Sequence, residues 1–281
     1  MLATGQSSVQ EQRERIESSA AFIKGRFDTV PRVGIILGSG LGAFAHSLQD
    51  AVAMSYAEVP HFPVSGAPGH AGRLVLGLVG SQTVCVMQGR VHAYEGYSQQ
   101  DVVYPVRVMR QLGVERLIVT CAAGGMNEGF AAGELMLIRD HINMTGSNPL
   151  IGPNDGELGP RFPVMYDAYR PELNALARQQ AARQGLSLRE GVYVGITGPA
   201  FCTRAELRFY RKIGGDAIGM SVVPEVIAAT HMGMSVMGLA AITDLAWPDA
   251  PDHASEEQIL ATSRSLEATI GHFLTGLLAS F

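Results

Sequence analysis

Cysteine is scarce in this chain. Three among 281 residues, Cys85, Cys121 and Cys202, stand far apart with no C-x-x-C pair. That excludes a disulfide framework and a thiolate metal site, and it fits a reducing cytoplasm. Basic runs are also missing, and the formal net charge is -5, so a nucleic acid polymer has no electrostatic footprint to bind. No segment approaches the roughly 18 uninterrupted apolar residues of a membrane span, and the opening stretch Met1–Arg15 is polar, without the apolar core of a secretion signal. A soluble cytoplasmic protein with no membrane partner is expected. Internal repeats, low-complexity tracts and linkers between unlike compositions are absent too, so residues 1–281 read as one domain.

What is present is a series of short apolar runs bounded by turn residues. Arg32–Leu37, Gly72–Val79, Gln82–Gln88, Arg116–Thr120, Glu134–Ile138, Gly191–Ile196, Asp216–Met220 and Ser235–Ile242 read as sheet-core strands. Helical spacing marks Ser8–Arg26, Gln99–Leu112, Pro171–Gln184, Thr203–Ile213, Val223–His231 and a long terminal helix from Ser255 to about Leu278. Strands alternating with helices predict an α/β fold: a mixed, largely parallel central sheet flanked by helices. Residues 145–166 carry four prolines and four glycines with little periodicity. A loop of that length in a compact fold is usually functional or interfacial.

Several motifs fall at the ends of the strands, where open α/β sheets place their ligands. The segment Met87-Gln-Gly-Arg-Val-His-Ala-Tyr-Glu-Gly-Tyr97 sets Arg90 and His92 two residues apart in extended chain, on one face, as an oxyanion clamp needs. A solvated surface pair is the rival account. Gly38-Ser-Gly-Leu-Gly42 can turn amides and the Ser39 hydroxyl toward a phosphate, although an ordinary strand-to-helix turn explains it as well. His70 lies in a turn, where a structural histidine is the commoner case. Ala122-Ala-Gly-Gly125 admits a ligand close to the backbone. Met220-Ser221 precedes a helix, so Ser221 is either an anion donor or an N-cap.

Together these blocks, with Pro68-Gly-His-Ala-Gly-Arg-Leu74, Asn148-Pro-Leu-Ile-Gly-Pro-Asn-Asp155, Arg161-Phe-Pro163, Gly198-Pro-Ala-Phe201 and Gly219-Met-Ser-Val-Val-Pro-Glu-Val226, resemble the trimeric purine nucleoside phosphorylases, the branch that includes the methylthioadenosine phosphorylases. The resemblance implies phosphorolysis of a purine (deoxy)nucleoside to free base and (deoxy)ribose 1-phosphate, with orthophosphate as co-substrate and no metal or organic cofactor. It implies phosphate held by Ser39, His70, Arg90, His92, the backbone of Ala122, and Ser221, with His70 a mobile partner over the site. It places ribose against Tyr94 and Met220, and Glu95 behind His92. Phe162 would reach in from a neighbouring subunit of a homotrimer. Arg90, His92 and Asp244 are then the catalytic candidates.

Two positions depart from the family pattern for 6-oxopurines. Where those members have Glu after Gly-Pro-Ser-Phe, this chain has Cys202 after Phe201; where they have Asn after Ile-Thr, it has Asp244. A thiol cannot accept from the N1–H and 2-amino groups of guanine as a carboxylate does, and a carboxylate suits a 6-amino group better than O6. A preference for adenosine-type nucleosides is expected, with inosine and guanosine or methylthioadenosine as alternatives. On the 5' side the candidates are His253 and Glu256. From another class, loss of those two base contacts would leave a non-catalytic nucleoside- or phosphate-binding protein.

Overall fold

The computed structural model describes residues 8–250 and 253–281. The first helix, α1 (Val9–Lys24), begins at a capping box in which Ser8 accepts from the Glu11 amide and Glu11 returns the bond to the Ser8 amide. The strands that follow are β1 (Val33–Leu37), β2 (Gln49–Ser55), β3 (Arg73–Val79), β4 (Gln82–Gln88), β5 (Arg116–Gly125), β6 (Leu135–Asn143), β7 (Leu188–Gly195), β8 (Ala217–Gly219) and β9 (Ser235–Leu245). Between and after them lie α2 (Gln99–Val102), α3 (Tyr104–Leu112), α4 (Pro171–Arg183), α5 (Arg204–Lys212), α6 (Val223–His231), α7 (Glu256–Ser265) and α8 (Glu267–Leu278).

Among the described residues the nine strands join one sheet in the order β2-β3-β4-β1-β5-β8-β7-β6-β9, and β9 also pairs with β5. The last five strands therefore close on themselves. The sheet is mixed: β1/β4, β1/β5, β5/β9, β6/β7 and β7/β8 are parallel, whereas β2/β3, β3/β4, β5/β8 and β6/β9 are antiparallel.

Alternation within the strands fills both faces. Val33, Ile35 and Leu37 of β1 pack with Phe44, Phe273 and Leu274, while Ile36 joins Met87, Met109 and Val119 on the opposite side. Burial on both faces explains why the central strands read as continuous apolar runs.

The fold departs from the sequence reading in four places. β2 lies outside the expected strands, because an edge strand with one wet face carries the polar pattern Gln49-Asp-Ala-Val-Ala-Met-Ser55. β5 continues past Thr120 through Gly125, since β9 and β8 supply hydrogen-bonding neighbours to its small residues. The Gln99–Leu112 helix breaks at Val103 into α2 and α3. The terminal helix breaks at Leu266, where α7, packed on β9, gives way to α8, packed on α4 and the 3-10 turn Gly42–Ser47. Among the described residues no helix is long and apolar enough to cross a membrane.

Candidate active site

Strands β4, β1, β5 and β9 run mutually parallel, so their carboxyl ends share one edge of the sheet. A cavity of about 170 Å³ opens there. β8 runs back antiparallel along the last residues of β5 and brings Gly219–Ser221 beside Ala122. The cavity wall thus draws Ser39 from β1, Arg90 and His92 from β4, Ala122 from β5, Met220 and Ser221 from β8, and Asp244 from β9.

Glycine makes these approaches possible. Gly89 has φ of 98°, and a Cβ there would lie 2.7 Å from the His70 Cβ; the chain turns at this point and aims Arg90 inward. A Cβ on Gly38 would meet the Cys121 Cα at 2.8 Å, so β1 and β5 could not end side by side. Thr120 locks that junction: its hydroxyl accepts from the Gly38 amide at 3.1 Å and donates to the Ile36 carbonyl at 3.1 Å.

Arg90 presents unused donors at one end of the cavity. Arg90 is 2% exposed. One NH1 hydrogen goes to Glu225 Oε1 at 2.9 Å, and NH2 donates to the carbonyls of Ile36 and Thr120. The Nε–H has no partner. Of five guanidinium donors, two, Nε–H and the second NH1 hydrogen, are left for a ligand.

His70 accepts from the Arg90 amide at Nδ1 (2.6 Å), so the neutral ring carries its proton on Nε2 and donates to Ser39 Oγ at 2.7 Å. The Ser39 O–H is thereby free to donate into the cavity. His70 sits behind Ser39 and not on the cavity wall, tied at both nitrogens instead of riding over the site. His92 lines the wall. Its Nδ1 faces Glu95 Oε1 at 3.2 Å, and that carboxylate is itself fixed by the His92 and Gly66 amides at 2.7 and 2.8 Å. With Nδ1–H given to Glu95, Nε2 is the acceptor.

Burial pulls both histidines down to about 3, helped for His70 by His92 and Arg90 and for His92 by Arg90. Both rings are neutral at pH 7. The unfolded chain, with its histidines near 6.5, binds more protons between pH 6.5 and 3, so this stability contribution is complete above pH 6.5 and fades as pH falls through that window. The melting temperature of a His70→Asn/His92→Gln variant is expected to vary less between pH 6.5 and 4 than that of the wild type; parallel curves would refute the assignment.

The opposite end of the cavity is apolar. Ile196, Phe201, Leu207, Ile218 and Ala246 line it, and three polar groups interrupt it: Cys202, Thr243 and Asp244. Burial pushes the Cys202 thiol up to about 11, with Glu206 adding to the rise, so it is an uncharged S–H at neutral pH. Asp244, 9% exposed, accepts the Thr243 hydroxyl at 2.9 Å, and burial raises its carboxyl above the usual range. Between the two ends, Tyr94 stacks on His92 with centroids 4.6 Å apart. Burial, then Glu95 and Glu256, push its phenol up to about 12.

The remaining candidates divide. His253 lines the cavity with its ring 4.2 Å from Phe201, whereas Glu256 lies exposed in the first turn of α7 and off the wall. Phe162 also lies off the wall, 85% exposed on the long loop. Residues not singled out from the sequence include Thr243, Glu225 and Tyr193, whose hydroxyl accepts the Ser221 amide at 3.4 Å. Among the described residues no cluster of three or more His, Cys, Asp or Glu is gathered as metal ligands would be.

A cluster of unused donors facing an apolar end of the same cavity, at one edge of an α/β sheet, is the arrangement of a small-molecule enzyme site. Residues 32–279 match the family model of the Phosphorylase superfamily, and the chain belongs to that family. It is 51% identical over 265 residues to purine nucleoside phosphorylase 1 of Geobacillus stearothermophilus, covering 94% of this chain and 97% of the relative. It is 44% identical over 274 residues, 95% of each chain, to the purine nucleoside phosphorylase of Bos taurus. Its fold matches that of a Schistosoma mansoni purine nucleoside phosphorylase solved with adenosine, at a TM-score of 0.90, 37% identity and coverage of 94% and 96%. Such phosphorylases are pentosyltransferases, and this chain is an enzyme of that class.

Proposed function

We propose that the enzyme cleaves the N-glycosidic bond of purine (deoxy)nucleosides with orthophosphate and favours 6-aminopurines. Phosphate occupies the end lined by Ser39, Arg90, His92, the Ala122 backbone and Ser221, the sugar lies along Tyr94 and Met220, and the base enters the slot ending at Asp244. Donors fixed before the substrate arrives stabilise the phosphate and the developing charge without reorganising, which is where most of the rate comes from in such sites. His92 Nε2, bare in the neutral ring, accepts the hydrogen of a monohydrogen phosphate.

One observation carries the base preference: a buried carboxyl, raised by desolvation, at the slot's polar end. In its protonated form Asp244 offers O–H to N7 and C=O to the 6-amino group, two matched bonds to adenine. A 6-oxopurine turns its O6 lone pairs toward that same C=O. Cys202, an uncharged thiol, supplies no anionic acceptor for guanine. Adenosine bound to the Schistosoma mansoni relative is compatible with this reading.

Phe162, Val164 and Tyr166 are 85%, 73% and 93% exposed along one loop. Apolar exposure of this kind suits a second copy of the chain, so we assign a homotrimer in which Phe162 closes a neighbour's cavity. A solution mass of one chain would remove that part of the reading.

The test is initial-rate release of base from adenosine, inosine, guanosine and methylthioadenosine, with and without phosphate. Phosphate-dependent adenine release from adenosine above hypoxanthine and guanine is the expected result. Inosine or guanosine turned over as fast as adenosine would return the enzyme to 6-oxopurines. Methylthioadenosine as the best substrate would move it to the other branch, and no release at all would leave a binding protein.

A further inference from the structure

We infer that Glu225 is a positioning residue for phosphate, and that the strained turn at Val222 exists to put it there; the inference rests on the cavity's anion end binding phosphate. Glu225 is 1% exposed, and its Oε1 accepts from Arg90 NH1 at 2.9 Å. With NH2 held by the Ile36 and Thr120 carbonyls, that bond completes a three-point fixation of the guanidinium plane, and the unpartnered Nε–H keeps one orientation. The carboxylate also offsets the cost of burying the Arg90 charge, which an unpaired cation there would bear in full.

Stability alone does not call for this pair. Desolvating two charges offsets most of their attraction, and apolar residues of similar volume serve a core as well. The Glu225 Oε2 has no partner either, so the group is not optimised as a structural bridge.

The backbone points the same way. Val222 has φ 71° and ψ -55°, and the Val223 amide donates to the Ser221 carbonyl at 2.8 Å. This is the three-residue turn of positive φ, rare and strained, at a β-branched residue that resists such φ values. Strain of this sort persists where the surroundings impose it, often at ligand clamps. Here it reverses the chain between Ser221 on the cavity wall and α6, whose first turn carries Glu225. Five residues, Ser221–Glu225, thus deliver one direct anion donor and the brace of another. An acidic residue in the first turn is also favoured by the helix dipole.

The test compares wild type, Glu225→Gln and Val222→Gly by initial rates against phosphate at saturating adenosine and against adenosine at saturating phosphate, with melting temperatures measured with and without inorganic phosphate. Glu225→Gln is expected to raise the phosphate KM about ten-fold or more, leave the adenosine KM within about two-fold, and shrink the phosphate-induced melting shift. Val222→Gly should also raise the phosphate KM while melting at or above the wild-type temperature. That outcome separates positioning from folding even where Glu225→Gln does not fold. An unchanged phosphate KM in a folded Glu225→Gln enzyme, or in Val222→Gly where only that variant folds, overturns the inference alone. A wild type with neither phosphate-dependent release nor a phosphate melting shift overturns the phosphate reading, and this inference with it.

Discussion

Arg90→Gln is expected to lower kcat/KM for phosphate by about 10²- to 10³-fold, the usual consequence of removing one preorganised donor from a charge-stabilising site. Two features push the effect toward the upper end. The guanidinium supplies two free N–H groups at once, and its positive charge is almost wholly buried, where charge–charge attraction is strong. Stability should fall as well. The substitution leaves the Glu225 carboxylate, 2% exposed, without its cation, a situation that costs about 3–5 kcal/mol when a buried pair is broken. Arg90→Lys retains the charge but not the fork, and a single ammonium cannot reach Glu225, two carbonyls and a phosphate together. It should therefore melt nearer to wild type while staying impaired in phosphate KM. An Arg90→Gln enzyme within about three-fold of wild type in kcat/KM for phosphate would remove Arg90 from the site.

The legibility of this site followed from how its parts are spaced. Arg90, His92 and Tyr94 lie within one short segment after an apolar strand, so their common face could be argued from extended geometry. Ser39, Ala122 and Ser221 are marked by small residues at the ends of apolar runs. Glu225 was different: its partner is 135 residues away, and nothing local distinguishes it from an ordinary first-turn acid. Thr243 and Tyr193 look like unremarkable strand residues until β5, β8 and β9 come together. The closed half of the sheet was hidden for the same reason. Cys121-Ala-Ala-Gly-Gly125 has the composition of a turn, and only pairing to β9 on one side and β8 on the other makes it strand. The backbone of Val222 could not be read at all, since a valine in sequence predicts the opposite conformation.

The base end offers the second large effect. The double variant Cys202→Glu/Asp244→Asn is expected to reverse the preference from adenosine to inosine and guanosine, changing the ratio of kcat/KM values by about 10²- to 10³-fold. Each change replaces one recognition element. A carboxylate at 202 gains the N1–H and 2-amino hydrogen bonds of guanine, and hydrogen bonds to a charged group contribute about 1.5–3 kcal/mol. An amide at 244 donates to N7 or O6 at any pH, whereas the carboxyl can donate only while it is protonated. The two residues line one cavity, so their effects need not add, and the single variants should be measured beside the double one. The pH profile separates recognition from simple loss of packing. Burial raises the Asp244 carboxyl, so adenosine turnover that depends on the protonated acid should decline as pH rises through its elevated pKa. Asp244→Asn carries no such proton and should lack that limb. A wild-type profile without the limb, together with an unaltered substrate ratio in the double variant, would remove Asp244 from base recognition and leave the slot's shape, set by Phe201, Ile196 and Leu207, as the determinant of which purine enters.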